Sequence, residues 1–233
     1  MISAYCAFLK LCTCSPRRAV PKIPFQESDR RVLNLHFLEQ VVKINFERTP
    51  AMIVLVGIPG SGKSTFARKL VDRLSENVPN GNGNKWVAYN QDVLKTRQKV
   101  LYHAEQSLQK SECVVIDRCN FDQLQRSHWV NICQKYEIKH IFCVVLKDYI
   151  NVLECSQRAT ARDNDGIHEA DTNWAEVCAR MKRDFEYPSM NEGFTAIYHC
   201  SDDDRGEEVL SALDSNRNSE NVSVTSDTTT TSE

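Results

Sequence analysis

No stretch of the chain approaches the ~20 consecutive apolar residues that a membrane-spanning helix needs, so no membrane association is expected. A chain-wide basic field is also missing. The net charge of −2 over 233 residues excludes a broad nucleic-acid footprint, although a partner that inserts only one end into a cleft needs none. The ten cysteines contain no C-x-x-C pair and no Cys/His spacing of a zinc site. Cys113, Cys133, Cys143 and Cys200 lie inside apolar runs and read as small buried hydrophobes, whereas Cys12 and Cys14 stand apart. Free thiols in a reducing compartment are the expected setting. There is no internal repeat, and no acidic residue precedes Glu27. Residues 1–27 carry Lys10, Arg17, Arg18 and Lys22 and are expected to be an unstructured leader, with a mitochondrial-type transit peptide or a weak secretory signal as the alternatives. The corresponding locations are nuclear or cytoplasmic for the first reading and mitochondrial for the second.

What is present is an apolar share of 41% and a charged share of 26%, the composition of a globular protein of about one domain. Residues 28–47 carry apolar positions at Val32, Leu35, Leu38, Val41 and Val42, then Ile44 or Phe46, the spacing of an amphipathic helix. Short apolar runs at Met52–Val56, Trp86–Tyr89, Cys113–Ile116, Ile138–Leu146 and Phe194–Tyr198 read as strands. Between them Lys63–Ser75, Val93–Gln109, Gln123–Tyr136, Tyr149–Arg162 and Thr172–Phe185 read as helices, with Asp122 as a cap. Strands alternating with helices predict an α/β fold: a largely parallel five-stranded sheet with helices on both faces. The domain is expected over 28–200. From Ser201 the composition turns to Asp, Glu, Ser and Thr, and 201–233 is expected to be a disordered acidic tail.

After the first strand comes Gly57-Ile58-Pro59-Gly60-Ser61-Gly62-Lys63-Ser64-Thr65, the G-x-x-x-x-G-K-[ST] pattern between a strand and a helix. Its glycines permit a tight turn whose N–H groups face phosphate oxygens, and the helix N-terminus adds its positive end. Lys63 is expected at the β- and γ-phosphates of ATP, and the Ser64 hydroxyl on Mg²⁺. The fold is therefore a P-loop NTPase three-layer sandwich. An Asn-Lys-x-Asp guanine-reading sequence is missing, which argues against a GTPase. Asp117 ends the third strand in the position of the acid that holds Mg²⁺, with a strand-end turn residue as the plain alternative. A motor ATPase would place Glu after it, and Arg118 stands there, so transfer to a hydroxyl is favoured over hydrolysis.

Transfer to a hydroxyl needs a base and surrounding cations. Asp92, just past the second strand, is the candidate base or a helix N-cap. Asn120 is expected to orient the acceptor or a phosphate. Arg158 and Arg162, four apart, share a helix face ahead of the polar stretch 163–171. They form either the clamp of a lid spanning about 155–171 or a solvated face. Lys95 and Arg97 are a second pair, expected to grip an acceptor phosphate.

Four segments together resemble the 5′-hydroxyl polynucleotide kinases and the P-loop domains of their aprataxin-fused relatives: GIPGSGKST, YNQDVLKTR, VVIDRCNFDQLQRSHW and QRATAR. FEYPSMNEGFTAIY is similar to the end of the animal enzymes' kinase domain. The resemblance covers about residues 50–200. It implies transfer of the γ-phosphate of ATP to a 5′-hydroxyl end of DNA or RNA, as in end processing during DNA repair. It implies Lys63 and Ser64 for Mg-ATP, Asp92 as the base, and Arg162 with Arg158 in the lid. The chain departs from the family in having Gln91 before that acid, Lys95 where some members have Arg, and Asp117-Arg118-Cys119-Asn120 for the usual D-x-T-N. Neither a D-x-D-G-T phosphatase signature nor a His-x-His-x-His triad occurs. A kinase of a small molecule (a sugar, nucleoside or other metabolite) and a non-catalytic ATP-dependent binding protein are the competing readings. A monomer is expected.

Overall fold

The computed structural model describes residues 31–32, 37, 40–41, 43–44, 47, 49–76, 84–146, 152–163 and 172–200. The expected leader, most of the polar lid stretch and the acidic tail lie outside them. The elements run β1 (Arg31–Val32), β2 (Ala51–Val56), α1 (Lys63–Glu76), β3 (Trp86–Asn90), α2 (Gln91–Leu94), α3 (Arg97–Gln109), β4 (Cys113–Asp117), α4 (Gln123–Lys135), β5 (His140–Leu146), α5 (Val152–Asp163), α6 (Trp174–Arg183), a 3₁₀ turn (Met190–Glu192) and β6 (Ala196–Cys200). All strand pairs are parallel, in the order β1-β6-β5-β2-β4-β3. The five expected strands form this sheet, and the two-residue β1 extends its edge.

The period of two along each strand sorts the core into two layers. Ala51, Ile53 and Leu55 of β2 point to one face with Cys113, Val115, Phe142, Val144 and Tyr198. Met52, Val54 and Val56 point to the other with Val114, Ile116, Cys143 and Val145. The first face is covered by Phe66, Leu70 and Leu74 of α1 and by Phe37, Val41 and Ile44. The second is covered by Val100, Ala104 and Leu108 of α3 and by Trp129, Val130 and Cys133 of α4. Each Val, Leu, Ile, Phe or Met among them contributes about 1.5–3 kcal/mol when fully buried.

The expected helix over 28–47 starts too early. Arg31 and Val32 pair with Tyr198 and His199 instead, and Phe37 is the first of the described residues that is helical. The i, i+4, i+7 stripe Phe37, Val41 and Ile44 is the buried one, with Phe37 edge-on to Tyr198 and Phe142. Leu35, Leu38, Val42 and Phe46 lie outside the described residues.

The single helix expected over Val93–Gln109 is two. Lys95 adopts φ 69°, and the Thr96 hydroxyl accepts from Lys99 N to start α3 afresh. β5 begins at His140 because Ile138 N donates to Cys133 O (2.8 Å), which keeps Ile138 in the terminal turn of α4. Asp122 caps α4 as expected, accepting from Gln125 N at 2.7 Å. No helix among the described residues is long and apolar enough to cross a membrane.

Candidate active site

The carboxyl ends of β2, β4 and β3 lie side by side, which places the segments that follow them along one edge of the sheet. The P-loop leaves β2 there, anchored by Gly57 N donating to Cys119 O at 3.0 Å. Ser61 N donates to Ile58 O (3.2 Å) and Phe66 N to Gly62 O (2.9 Å), which winds the loop into α1. Lys63 is buried, and its Nζ donates to Ile58 O (2.8 Å) and Ser61 Oγ (3.2 Å). Pro59 and Ser64 are half-buried and Thr65 is exposed.

Gly60 is obligatory on two grounds. Its φ is 79°, and a Cβ there would stand 1.9 Å from the carbonyl oxygen of Cys155. That close approach seats the P-loop on α5. Ile58 packs with Cys155 and Cys178 in a small separate core, flanked by Val152 and Met181. Burial first, then its neighbours' charges, sets the Cys178 thiol, which is pushed up to about 11 despite Lys63 and Arg162 pulling it down. Gly60→Ala is expected to cost more than ~2 kcal/mol in urea unfolding and to weaken nucleotide binding in a titration, since backbone must move. Unchanged values for both would mean that the loop and α5 are not in contact.

Asn90, which the sequence reading passed over, organises the next part of the site. Its Nδ2 donates to Asp117 Oδ2 (2.5 Å) and to Ser64 Oγ (3.2 Å), and its Oδ1 accepts from Asp92 N (2.6 Å) and Val93 N (3.2 Å). One side chain thus ties the P-loop hydroxyl, the strand-end carboxylate and the N-terminus of α2 together. The only available signal was Asn at a strand end before a helix, a preferred cap. Asp92 is not the cap of α2 or of α3, since Asn90 and Thr96 hold those places. It is exposed in the first turn of α2.

Ser64 and Asp117 share a hydrogen-bond donor, so a hydroxyl and a buried carboxylate stand within reach of one small cation. No cluster of three or more His, Cys, Asp or Glu among the described residues forms an all-protein metal cage. A pair of hard oxygen ligands beside a phosphate cradle suits Mg²⁺, which takes its remaining ligands from phosphates and water.

Both ends of the Asn120 side-chain amide are engaged within the chain. It is fully buried at φ 45°, its Nδ2 donates to Leu55 O (2.8 Å), and its Oδ1 accepts from Trp129 Nε1 (2.9 Å). It ties β2 to α4 behind the P-loop. Arg158 is ion-paired with Glu154 on its own helix, while Arg162 is exposed at the end of α5. Cys113, Cys133, Cys143 and Cys200 are buried free thiols as expected; burial pushes Cys113 and Cys133 up to about 12.

Residues 52–188 match the AAA domain family. The chain is 35% identical over 150 residues to a bifunctional polynucleotide phosphatase/kinase of Schizosaccharomyces pombe, covering 63% of this chain and 32% of that protein. It is 33% identical over 113 residues to a provisionally named bifunctional polynucleotide phosphatase/kinase of Acanthamoeba polyphaga mimivirus, covering 47% of this chain and 24% of the other. It therefore spans a third or less of these relatives' length. Among solved structures, Chaetomium thermophilum Kti12 in complex with ADP-AlF3 superposes with a TM-score of 0.51 at 15% identity, over 70% of this chain and 97% of that one, a likeness of fold. With more than half of its length matched, from β2 through the P-loop to the segment after α6, the chain belongs to the AAA domain family and has its α/β P-loop fold.

Proposed function

We propose that the chain is an ATP-dependent kinase that transfers the γ-phosphate to the 5′-hydroxyl end of a polynucleotide. The observation that carries this reading is the Asn90 junction, which holds Asp92 at a fixed offset from Ser64 and Asp117. A carboxylate that caps no helix and stands exposed beside a phosphate cradle is suited to take a proton from an acceptor hydroxyl. The names of the curated relatives and the family resemblance supply the polynucleotide.

In this reading the loop Gly57–Thr65 holds the ATP phosphates with its backbone N–H groups, and Lys63 neutralises the β- and γ-phosphates. Ser64 and Asp117 would hold Mg²⁺, which would supply neutralisation of phosphate charge. The acceptor hydroxyl oxygen bonds to the γ-phosphorus as the bond to the bridging oxygen breaks, ADP departs, and Asp92 takes the hydroxyl proton. Arg162 stabilises the transferring group from the α5 side.

The test is an acceptor screen with γ-labelled ATP across 5′-hydroxyl DNA and RNA oligonucleotides, nucleosides and sugars. Label is expected on oligonucleotide 5′ ends. Transfer to a nucleoside or sugar with none to either oligonucleotide would replace the polynucleotide by a metabolite, and no transfer at all would leave a nucleotide-binding protein.

A further inference from the structure

The net charge of −2 averages two unlike parts of the chain. Residues 201–233 hold nine acidic and two basic side chains, a net −7, while residues 1–200 hold 27 basic and 22 acidic ones, a net +5. Five of the nine acids stand in the first eight positions after β6: Asp202, Asp203, Asp204, Glu207 and Glu208. A composition that cannot bury a core of its own can still pair with a surface of opposite charge.

The sheet delivers this acidic run to the edge that carries the phosphate cradle. β6 is parallel to β5, and its last residue, Cys200, pairs with Leu146, so the chain leaves β6 at the same edge as the P-loop leaves β2. In the order β6-β5-β2-β4, two strand steps of ~4.8 Å put the end of β2 about 10 Å away, and three put the end of β4 about 14 Å away. At ~3.4 Å per extended residue, Asp202 reaches ~7 Å from Cys200, Asp204 ~14 Å and Glu208 ~27 Å. The run is thus long enough to cross the mouth of the cradle and meet the residues that follow β4. Those residues are cationic and short of hydrogen-bond partners. Arg118, directly after β4, has Nε and Nη1 buried and unbonded, and Arg97, at the start of α3, has Nε in the same state. Asp92 and Asp122 raise the Arg118 pKa through space, yet neither bonds these atoms. Buried polar atoms are nearly always paired, and a guanidinium gains most from a carboxylate or phosphate.

We propose that the acidic run Asp202–Glu208 turns back over this edge as a counter-anion supplied by the chain itself, pairs with Arg118 and Arg97, and occupies the approach to the site. The contact is autoinhibitory: a polyanionic ligand gains entry by displacing the run. Tethering a few residues from Cys200 gives the carboxylates an effective concentration on the order of millimolar, so contacts that are weak one by one suffice. Salt loosens them, because partly exposed charges are screened beyond ~10 Å at 0.1 M ionic strength. The distal acids Asp214, Glu220, Asp227 and Glu233 lie beyond the stretch that spans the edge and have no part in the contact. The inference rests on the proposed kinase reading for the ligand being a polynucleotide.

The test uses three forms of the full chain, with thermal melting to confirm folding. One is wild type. The second carries Asp202→Asn, Asp203→Asn, Asp204→Asn, Glu207→Gln and Glu208→Gln. The third carries Asp214→Asn, Glu220→Gln, Asp227→Asn and Glu233→Gln. Each is titrated with a labelled 5′-hydroxyl oligothymidylate at low and high salt. The second form is expected to bind at least ~10-fold more tightly than wild type at low salt, with the gap closing at high salt. The third should stay within ~3-fold of wild type. An equal gain in both variants would mean repulsion at a distance without docking, and no gain in the second would overturn the contact outright. Amide hydrogen exchange reads the contact without any ligand. Residues 201–208 should be protected in wild type and lose that protection in a folded Arg118→Ala variant. Exchange at random-coil rates in wild type, or protection that survives Arg118→Ala, sinks the proposal. Arg118-dependent protection in a chain that binds no oligonucleotide would spare the contact and remove the polynucleotide reading. Phosphate transfer to oligonucleotides by a chain with unprotected 201–208 would do the reverse.

Discussion

Replacing Asp92 by asparagine is expected to lower phosphate transfer at least ~100-fold while ATP affinity stays within a few-fold of the wild-type value. The substitution keeps the shape of the side chain and removes its ability to take a proton. The helix caps survive it, because capping at both α2 and α3 is done by other residues, Asn90 and Thr96. Only the backbone N–H of residue 92 enters the cap, and asparagine supplies the same group. The cradle, with Lys63 and Ser64 on the far side of Asn90, is untouched. Single-turnover transfer together with an independent ATP titration separates the two quantities. Near-normal turnover would show that Asp92 is not the base. A loss of ATP affinity equal to the loss of turnover would make it part of the nucleotide site.

The largest expected effect on stability comes from a residue that touches no ligand. Arg126 is fully buried, and its Nε and Nη2 donate to Glu192 Oε2 and Oε1, each at 2.8 Å. Its Nη1 donates to Asn120 O (3.1 Å) and Glu186 O (2.8 Å). Glu192 Oε1 also accepts from Ser189 N (3.0 Å), closing a capping box. Arg126→Ala leaves a nearly buried carboxylate and two carbonyls without their donor, and is expected to cost ~3–5 kcal/mol in urea unfolding. The loss should reach the active site, because Asn120 holds Leu55 and its neighbour Cys119 accepts from Gly57 at the start of the P-loop. Replacing both partners by methionine removes the uncompensated charge and is expected to recover a good part of the stability. A single alanine variant within ~1 kcal/mol of wild type would refute this role for the pair.

The strands, the P-loop and the cap at Asp122 were legible in the sequence because each depends on residues a few positions apart. Alternation along Ala51–Val56 already assigns its side chains to two faces, whichever strands come to lie beside it. The boundaries that failed did so for local reasons of another kind. Val32 is apolar and fits a helical stripe, but its backbone gains more from pairing with β6. Thr96 restarts a helix that periodicity alone would have continued.

The G-x-x-x-x-G-K-[ST] loop was set by the sequence itself, because a turn of that shape needs glycine at fixed offsets and a helix after it. The tertiary structure decided what surrounds it. Asn90 meets Asp117 across 27 residues and Arg126 meets Glu192 across 66, contacts that exist only once β3, β4 and β6 have found their places in the sheet. The same ordering buried Asn120 and set Gly60 against Cys155. Spacing along the chain encodes the period of an element and the chemistry of a turn. Which polar groups face one another, and which are left for a ligand, depends on the register and packing of elements far apart in sequence.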